Sequence, residues 1–224
     1  MQNAAKGLDP MGTRIAGQPP SGQACRWIGD CGLQLATGKE TLARLAALSA
    51  HGFTELDDMI PADDSLLLVL RPGARVSAQL WAALAAPLPG VLAAMGRCHE
   101  IAVEYGGVAG PDLAALAERA GMDRVTYISS HAAVEYTVAF LGFQPGFPYL
   151  RGLPQVLHAP RRATPRVRVE VGSVAIGGAY CGIYPAAGPG GWQIIGRTAT
   201  ALFDPAREVP ALLMPGDRVR FVPR

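Results

Sequence analysis

The stretch Gly142-Phe143-Gln144-Pro145-Gly146-Phe147-Pro148-Tyr149-Leu150-Arg151-Gly152-Leu153-Pro154 decides how the second half of the chain folds. Proline restricts φ, glycine permits positive φ, and aromatic rings need burial, so the segment is shaped and not floppy. It opens a region, 142–196, that holds eleven glycines and seven prolines. Short apolar runs lie between them. Arg166-Val167-Arg168-Val169-Glu170-Val171 alternates strictly. That predicts a strand with valine on one face and Arg, Arg and Glu on the other. Residues 217–222 repeat the logic with Val219 and Phe221 inward. Short strands joined by Gly/Pro turns predict a β-barrel or sandwich.

Upstream, 99–105 alternates with Ile101, Val103 and Tyr105 on one face and stops at Gly106-Gly107. Pro111 reads as the first residue of a helix whose stripe is Leu113, Leu116 and Ala117, ended by Gly121. Between 26 and 96, strand-like and helix-like pieces alternate. Residues 40–50 place Leu42, Leu45, Ala46 and Ser49 at helical spacing, with Gly52 as a stop. Residues 53–60 and 65–70 read as strands. Ser77 is placed to cap a helix carrying Leu80, Trp81 and Leu84 that ends at Pro87. The fold class expected is α+β: a flexible tail over 1–24, a small α+β sandwich over 25–96 and a β-barrel domain over 97–224.

Composition narrows the function. Half of the 224 residues are hydrophobic and only 17% are charged, which argues against disorder and leaves little charge to cover a whole surface. Some of that surface is expected to face a partner. A net charge of +2 does not suggest a general nucleic-acid binder. No run approaches the ~20 apolar residues of a membrane helix, and the N-terminus has no apolar core of a secretory signal. Cys25, Cys31, Cys98 and Cys181 form no CxxC pair and no accompanying His spacing. Reduced thiols in the cytoplasm and no metal site are the expectation.

Between Glu135 and Asp204 lie six arginines (151, 161, 162, 166, 168 and 197) and one acid, Glu170. The planar guanidinium binds carboxylate and phosphate in a bidentate manner. Arg161, Arg162 and Arg166 crowd one proline-bounded segment and are the candidate anion clamps. The 142–154 loop is either a pocket wall or a packed barrel cap. Gly188-Pro189-Gly190-Gly191-Trp192-Gln193 is either a nest of N–H groups or a tight turn. His131 is a candidate general base near Gln144, or a satisfied structural histidine. The 32–39 segment fails as a phosphate loop: five residues separate its glycines, and Glu40 follows Lys39.

Many of these residues recur in order in one family. Gly110-Pro111-Asp112-Leu113, His131 with Glu135-Tyr136-Thr137-Val138, the 142–154 loop, Pro160-Arg161-Arg162, Thr164-Pro165-Arg166, Gly172-Ser173-Val174, Gly182-Ile183-Tyr184-Pro185 and 188–198 resemble the B-type subunits of 5-oxoprolinase. That family is also labelled allophanate hydrolase subunit 1, or carboxyltransferase subdomains C and D. The resemblance covers roughly 26–224. It implies a small α+β domain followed by a cyclophilin-like β-barrel. It also implies an ATP-dependent opening of the 5-oxo-L-proline lactam, carried out with a C-type subunit and functionally with an A-type subunit. ATP is expected in a site shared with the partner, since the chain has no ATP motif of its own. Other relatives of this family imply two alternatives: an inhibitor of a histidine kinase, and a component of a biotin-dependent urea-type carboxyltransferase.

The site residues expected on this basis are His131 and Arg166 as catalytic groups. Gln144, Gly146, Phe147, Arg161, Arg162, Ser173, Tyr180, Cys181, Gly190, Gly191 and Trp192 are expected to bind the substrate or an anion. The chain departs from the family pattern in places. Tyr180-Cys181 stand where Gln-Thr often precedes Gly-Ile-Tyr-Pro. Glu170, Ala102 and Glu104 replace a usual Pro, Pro and Cys.

Overall fold

The computed structural model describes residues 24–88 and 96–224. The tail expected over 1–24 lies outside the described residues except for Ala24. The chain divides into two compact units near residue 94.

In the N-terminal unit, β1 (Cys25–Ile28) and β2 (Gly32–Ala36) form a hairpin. There follow α1 (Thr41–Ser49), β3 (Leu56–Pro61), β4 (Ser65–Leu70) and α2 (Ala78–Ala85). The antiparallel sheet has the order β1-β2-β4-β3. Alternation along β4 turns Leu66, Leu68 and Leu70 into a core shared with Leu48 of α1 and Leu80 and Leu84 of α2. Ser77 caps α2 as its sequence predicts, its Oγ accepting from Leu80 N–H at 3.0 Å. The 32–39 segment is strand β2 and the start of a 3-10 turn, so its backbone is used in structure.

The second unit runs β5 (Cys98–Tyr105), α3 (Leu113–Arg119), α4 (Arg124–Ala132), β6 (Tyr136–Leu141), β7 (Pro148–Arg151), β8 (Arg166–Val169), β9 (Ser173–Gly177), β10 (Tyr180–Ile183), β11 (Gly188–Gly190), β12 (Gln193–Arg197) and β13 (Arg218–Pro223). Seven of these strands close into a barrel in the order β10-β7-β6-β13-β5-β12-β9. Closure removes free sheet edges, which is how a small β-domain avoids edge pairing. The last strand completes it, running parallel to β5 and antiparallel to β6. Asp217 latches that strand: it accepts from Arg97 N–H at 2.8 Å and Met214 N–H at 2.9 Å.

Val174, Ile176, Cys181, Ile183, Ile195 and Val219 are wholly buried in the barrel core, which α3 and α4 help to cover. The same strands also have a buried outer face. Ala175, Tyr184 and Ile194, one step out of phase with the inward residues, pack with Phe147, Val169 and Trp192 in a second cluster. The two-residue period of a strand assigns successive residues to the two cores. A ribbon of β8 and β11 lies outside the barrel.

Three features differ from the sequence reading. Pro111 does not open α3; the helix begins at Leu113 with Asp112 at its N-cap. Helix α4, with His131 in its last turn, has no counterpart among the expected elements. The strict alternation of 166–171 does not hold: Val169 is buried, but Val167 is 92% exposed. The cause is local. The β8–β11 ladder shifts register between Gly188 and Gly190, and such a bulge breaks the two-residue period.

Candidate functional site

The site grows from Asp112. The loop before it lies so close to β12 that a Cβ on Gly110 would overlap the Ile195 carbonyl. Asp112 N–H donates to the Ile194 carbonyl at 3.0 Å, and Ile194 N–H donates to Asp112 Oδ2 at 2.7 Å. This reciprocal pair ties the start of α3 to the barrel wall. The carboxylate makes no cap bond to its own helix. Its Oδ1 instead accepts from Arg166 Nη2 at 2.8 Å and Arg162 Nη1 at 3.3 Å.

Two guanidiniums on one carboxylate leave one net positive charge. They also leave donors over. Arg162 Nε and Arg166 Nη1 are buried and have no hydrogen-bond partner. A buried donor without a partner costs about 1–3 kcal/mol, so native structures rarely keep one idle. Arg161 sits 5.8 Å from the centroid of the Trp192 ring, a cation–π contact. Arg162 N–H donates to the Gly191 carbonyl at 2.6 Å and joins this arginine segment to Trp192.

The aromatic floor comes from the 142–154 loop, the residue after β10 and the residue before β12. Phe147 meets Tyr184 at 5.1 Å and Trp192 at 5.3 Å, both edge-to-face. Gly146, at φ +77°, lies against Phe203, where a side chain would be strained and crowded. At the loop tip, Gln144 N–H donates to the Gly142 carbonyl at 2.8 Å across Phe143, which holds φ +67°. That is a three-residue turn of the strained, positive-φ kind, seldom adopted by a bulky residue. It leaves Phe143 60% exposed, with its ring 6.1 Å from that of Tyr184. Gln144 Oε1 is buried and has no hydrogen-bond partner. Burial raises the Tyr184 phenol, while the Trp192 N–H, Arg161 and Arg166 pull it back down.

The structure thus gathers Gln144, Gly146, Phe147, Arg161, Arg162, Arg166, Gly190, Gly191 and Trp192 along one outer face of the barrel. Tyr180 stands at the margin of its aromatic cluster, 5.7 Å from Tyr149. Asp112, Tyr184 and Phe143 belong with them, and sequence reasoning missed them as site residues. Two further arginines of this region are engaged elsewhere: Arg168 pairs with Glu170 at 2.8 Å, and Arg197 donates to the Val171 carbonyl at 3.1 Å. Gly188–Gly190 is strand, not a nest.

Three expected site residues lie elsewhere. His131 is wholly buried in the barrel core, its Nδ1 2.8 Å from Tyr105 Oη and its Nε2 3.4 Å from Cys181 Sγ. Burial without an anionic partner pushes its pKa down to about 3, so it is neutral. With no exposed surface it cannot itself touch a substrate outside the core, which argues against the expected role of proton carrier. Cys181 is equally buried beside it, with its thiol pushed far up by burial. Ser173 is buried at the start of β9 and paired in register with Arg197. The Tyr180-Cys181 departure therefore places its thiol in the core, away from the arginines.

Among the described residues, no group of three or more His, Cys, Asp or Glu could hold a metal ion. No helix there is long and apolar enough to cross a membrane.

Comparison with known proteins gives three kinds of match. A family model described as carboxyltransferase domain, subdomain C and D, matches residues 25–213. The chain is 60% identical over 128 residues to the B subunit of 5-oxoprolinase from Escherichia coli O157:H7, covering 57% of this chain and 59% of that one. It is 51% identical over 144 residues to the B subunit of 5-oxoprolinase from Haemophilus influenzae, covering 64% of this chain and 65% of that one. The matches thus span about three-fifths of these relatives' lengths. A crystal structure of TTHA0988 superposes with a TM-score of 0.73 at 37% identity, covering 87% of this chain and 40% of that one.

Proposed function

The chain belongs to the carboxyltransferase family of subdomains C and D, and we propose that it is the B-type subunit of an ATP-dependent 5-oxoprolinase, inactive alone. It acts with homologues of the C-type and A-type subunits in the cytoplasm, where its four unpaired cysteines stay as thiols. Relatives named as 5-oxoprolinase B subunits support this reading over kinase inhibition or urea-type carboxyl transfer.

The observation that carries it is the Arg162–Arg166 pair on Asp112, with one net positive charge and two idle buried N–H groups. That set suits a monoanionic carboxylate, which 5-oxoproline has. It does not suit a triphosphate, which calls for several more donors and cations. The one lysine among the described residues, Lys39, belongs to the N-terminal unit. ATP is therefore assigned to a site completed by the partner.

This chain's own residues bind and orient. The arginines hold the carboxylate and take up the negative charge that comes near them. The aromatic floor of Phe147, Tyr184 and Trp192 excludes water from one side of a small ring, which strengthens those charged hydrogen bonds. Affinity purification of this chain from its native cells, with mass spectrometry of what co-purifies, tests the assignment. A homologue of the C-type subunit is the expected partner. Recovery of a histidine kinase without that homologue would overturn it.

A further inference from the structure

The idle polar atoms of the site are of two kinds, and two of the residues that carry them, Gln144 and Arg166, sit beside strand β11. At one end, buried Gln144 Oε1 lacks a donor, and its amide nitrogen lies 2.8 Å from where a Gly188 side chain would begin. At the other, Gly190 is in register with Arg166, whose Nη1 lacks an acceptor. Gly188 and Gly190 are two residues apart on β11, which is roughly 7 Å in a strand. Glycine at both positions keeps the strand bare: a Cβ on Gly188 would press on Gln144, and one on Gly190 would overlap the Tyr184 hydroxyl. The main chain of Gln144 is fully engaged, its N–H with Gly142 and its carbonyl with Phe147 N–H at 3.0 Å, so the side-chain root is fixed.

From this we infer that the face reads its ligand at two points. Arg162 Nε and Arg166 Nη1 donate to a carboxylate, and Gln144 Oε1 accepts from a secondary-amide N–H of the same molecule. The ligand class is a small monoanion that carries both groups. Asp112 is a positioning residue: it touches no ligand and presents the two guanidiniums. The inference rests on the proposed function for the identity of the ligand and adds to it which group of the ligand meets which residue.

Titration calorimetry on the full chain tests it with three ligands built on a five-membered ring: 5-oxo-L-proline, 2-pyrrolidinone, which lacks the carboxylate, and 5-oxotetrahydrofuran-2-carboxylate, a lactone analogue of equal size that lacks the N–H. We expect 5-oxoproline to bind at least tenfold more tightly than either. Gln144→Met should abolish the preference for lactam over lactone while keeping the preference for the carboxylate. Arg166→Met should do the reverse. Equal binding of the lactam and the lactone by the unaltered chain, or no binding of 5-oxoproline, overturns the two-point reading and needs no variant to fold. Turnover by the assembled complex reads the proposed function separately, so an active complex built on a chain that fails this test would condemn the two-point site alone.

Discussion

Asp112 shows how one carboxylate serves both fold and site. An N-cap aspartate ordinarily accepts from its own helix, as Asp123 does for α4 through Thr126 N–H at 2.7 Å. Asp112 spends its oxygens on Ile194 and two arginines instead. Asp112→Ala would leave the Ile194 N–H buried without a partner and two guanidiniums repelling each other. The arginine side chains are 23% and 37% exposed, which screens that repulsion. A loss of about 2 kcal/mol is expected by chemical denaturation. Asp112→Asn retains an acceptor for Ile194 and should cost less. His131 gives a second prediction. Its folded pKa of about 3 lies below the ordinary 6.5. As pH falls below 6.5 the unfolded chain takes up a proton that the folded chain refuses. Its contribution to stability is thus whole above pH 6.5 and is lost on the way down to 3, at up to about 1.4 kcal/mol per pH unit. His131→Gln should flatten that slope; an unchanged slope would contradict the assignment. The arginines are legible in the sequence because they crowd one segment. Asp112 is not, because its partners lie 50 and 54 positions away and Gly-Pro-Asp-Leu reads as a helix start. His131 misleads for the same reason: Ser129-Ser130-His131 looks exposed, and the groups that bury it, Tyr105 and Cys181, come from distant strands.

At the scale of elements, the outer face of the barrel depends on glycine. A Cβ on Gly177 of β9 would stand 2.5 Å from the Trp192 ring. Gly177→Ala should therefore push Trp192 out of the aromatic floor. Overpacking of this kind costs about 1–3 kcal/mol. Gly178, the next residue, has nothing within 4 Å of its Cβ position, yet holds φ +66°. Gly178→Ala thus carries backbone strain without crowding and serves as the contrast. Denaturation midpoints and the Trp192 emission should separate the two: both variants lose stability, and only Gly177→Ala shifts the emission. The sequence pattern locates the long strands well. Ile101 and Val103 on β5, and Val219 and Phe221 on β13, face inward as their alternation predicts. It fails on β8, where a bulge in a two-stranded ribbon, and the pull of Asp112 on Arg166, decide which side chains are covered. Neither cause is written in the local pattern of 166–171.

At the scale of the molecule, two clusters of buried residues serve the barrel unit and a third serves the N-terminal sheet and helices. The α+β class is legible because Gly and Pro punctuate the strands and helical spacing marks α1 and α2. The closure of seven strands is not, since it depends on β13 returning beside β5 in parallel, a pairing that spans some 120 residues. Only 17% of the residues are charged, which leaves little charge to cover a surface and is what the proposed assembly expects. The proposal that this chain is one part of a lactam-opening enzyme is open to a direct test. Glutamate release from 5-oxo-L-proline should be measured with ATP for the chain alone, and for the chain assembled with the proposed C-type and A-type partners. Release is predicted only from the assembly. Release by the isolated chain, or none from the full assembly, would contradict the assignment.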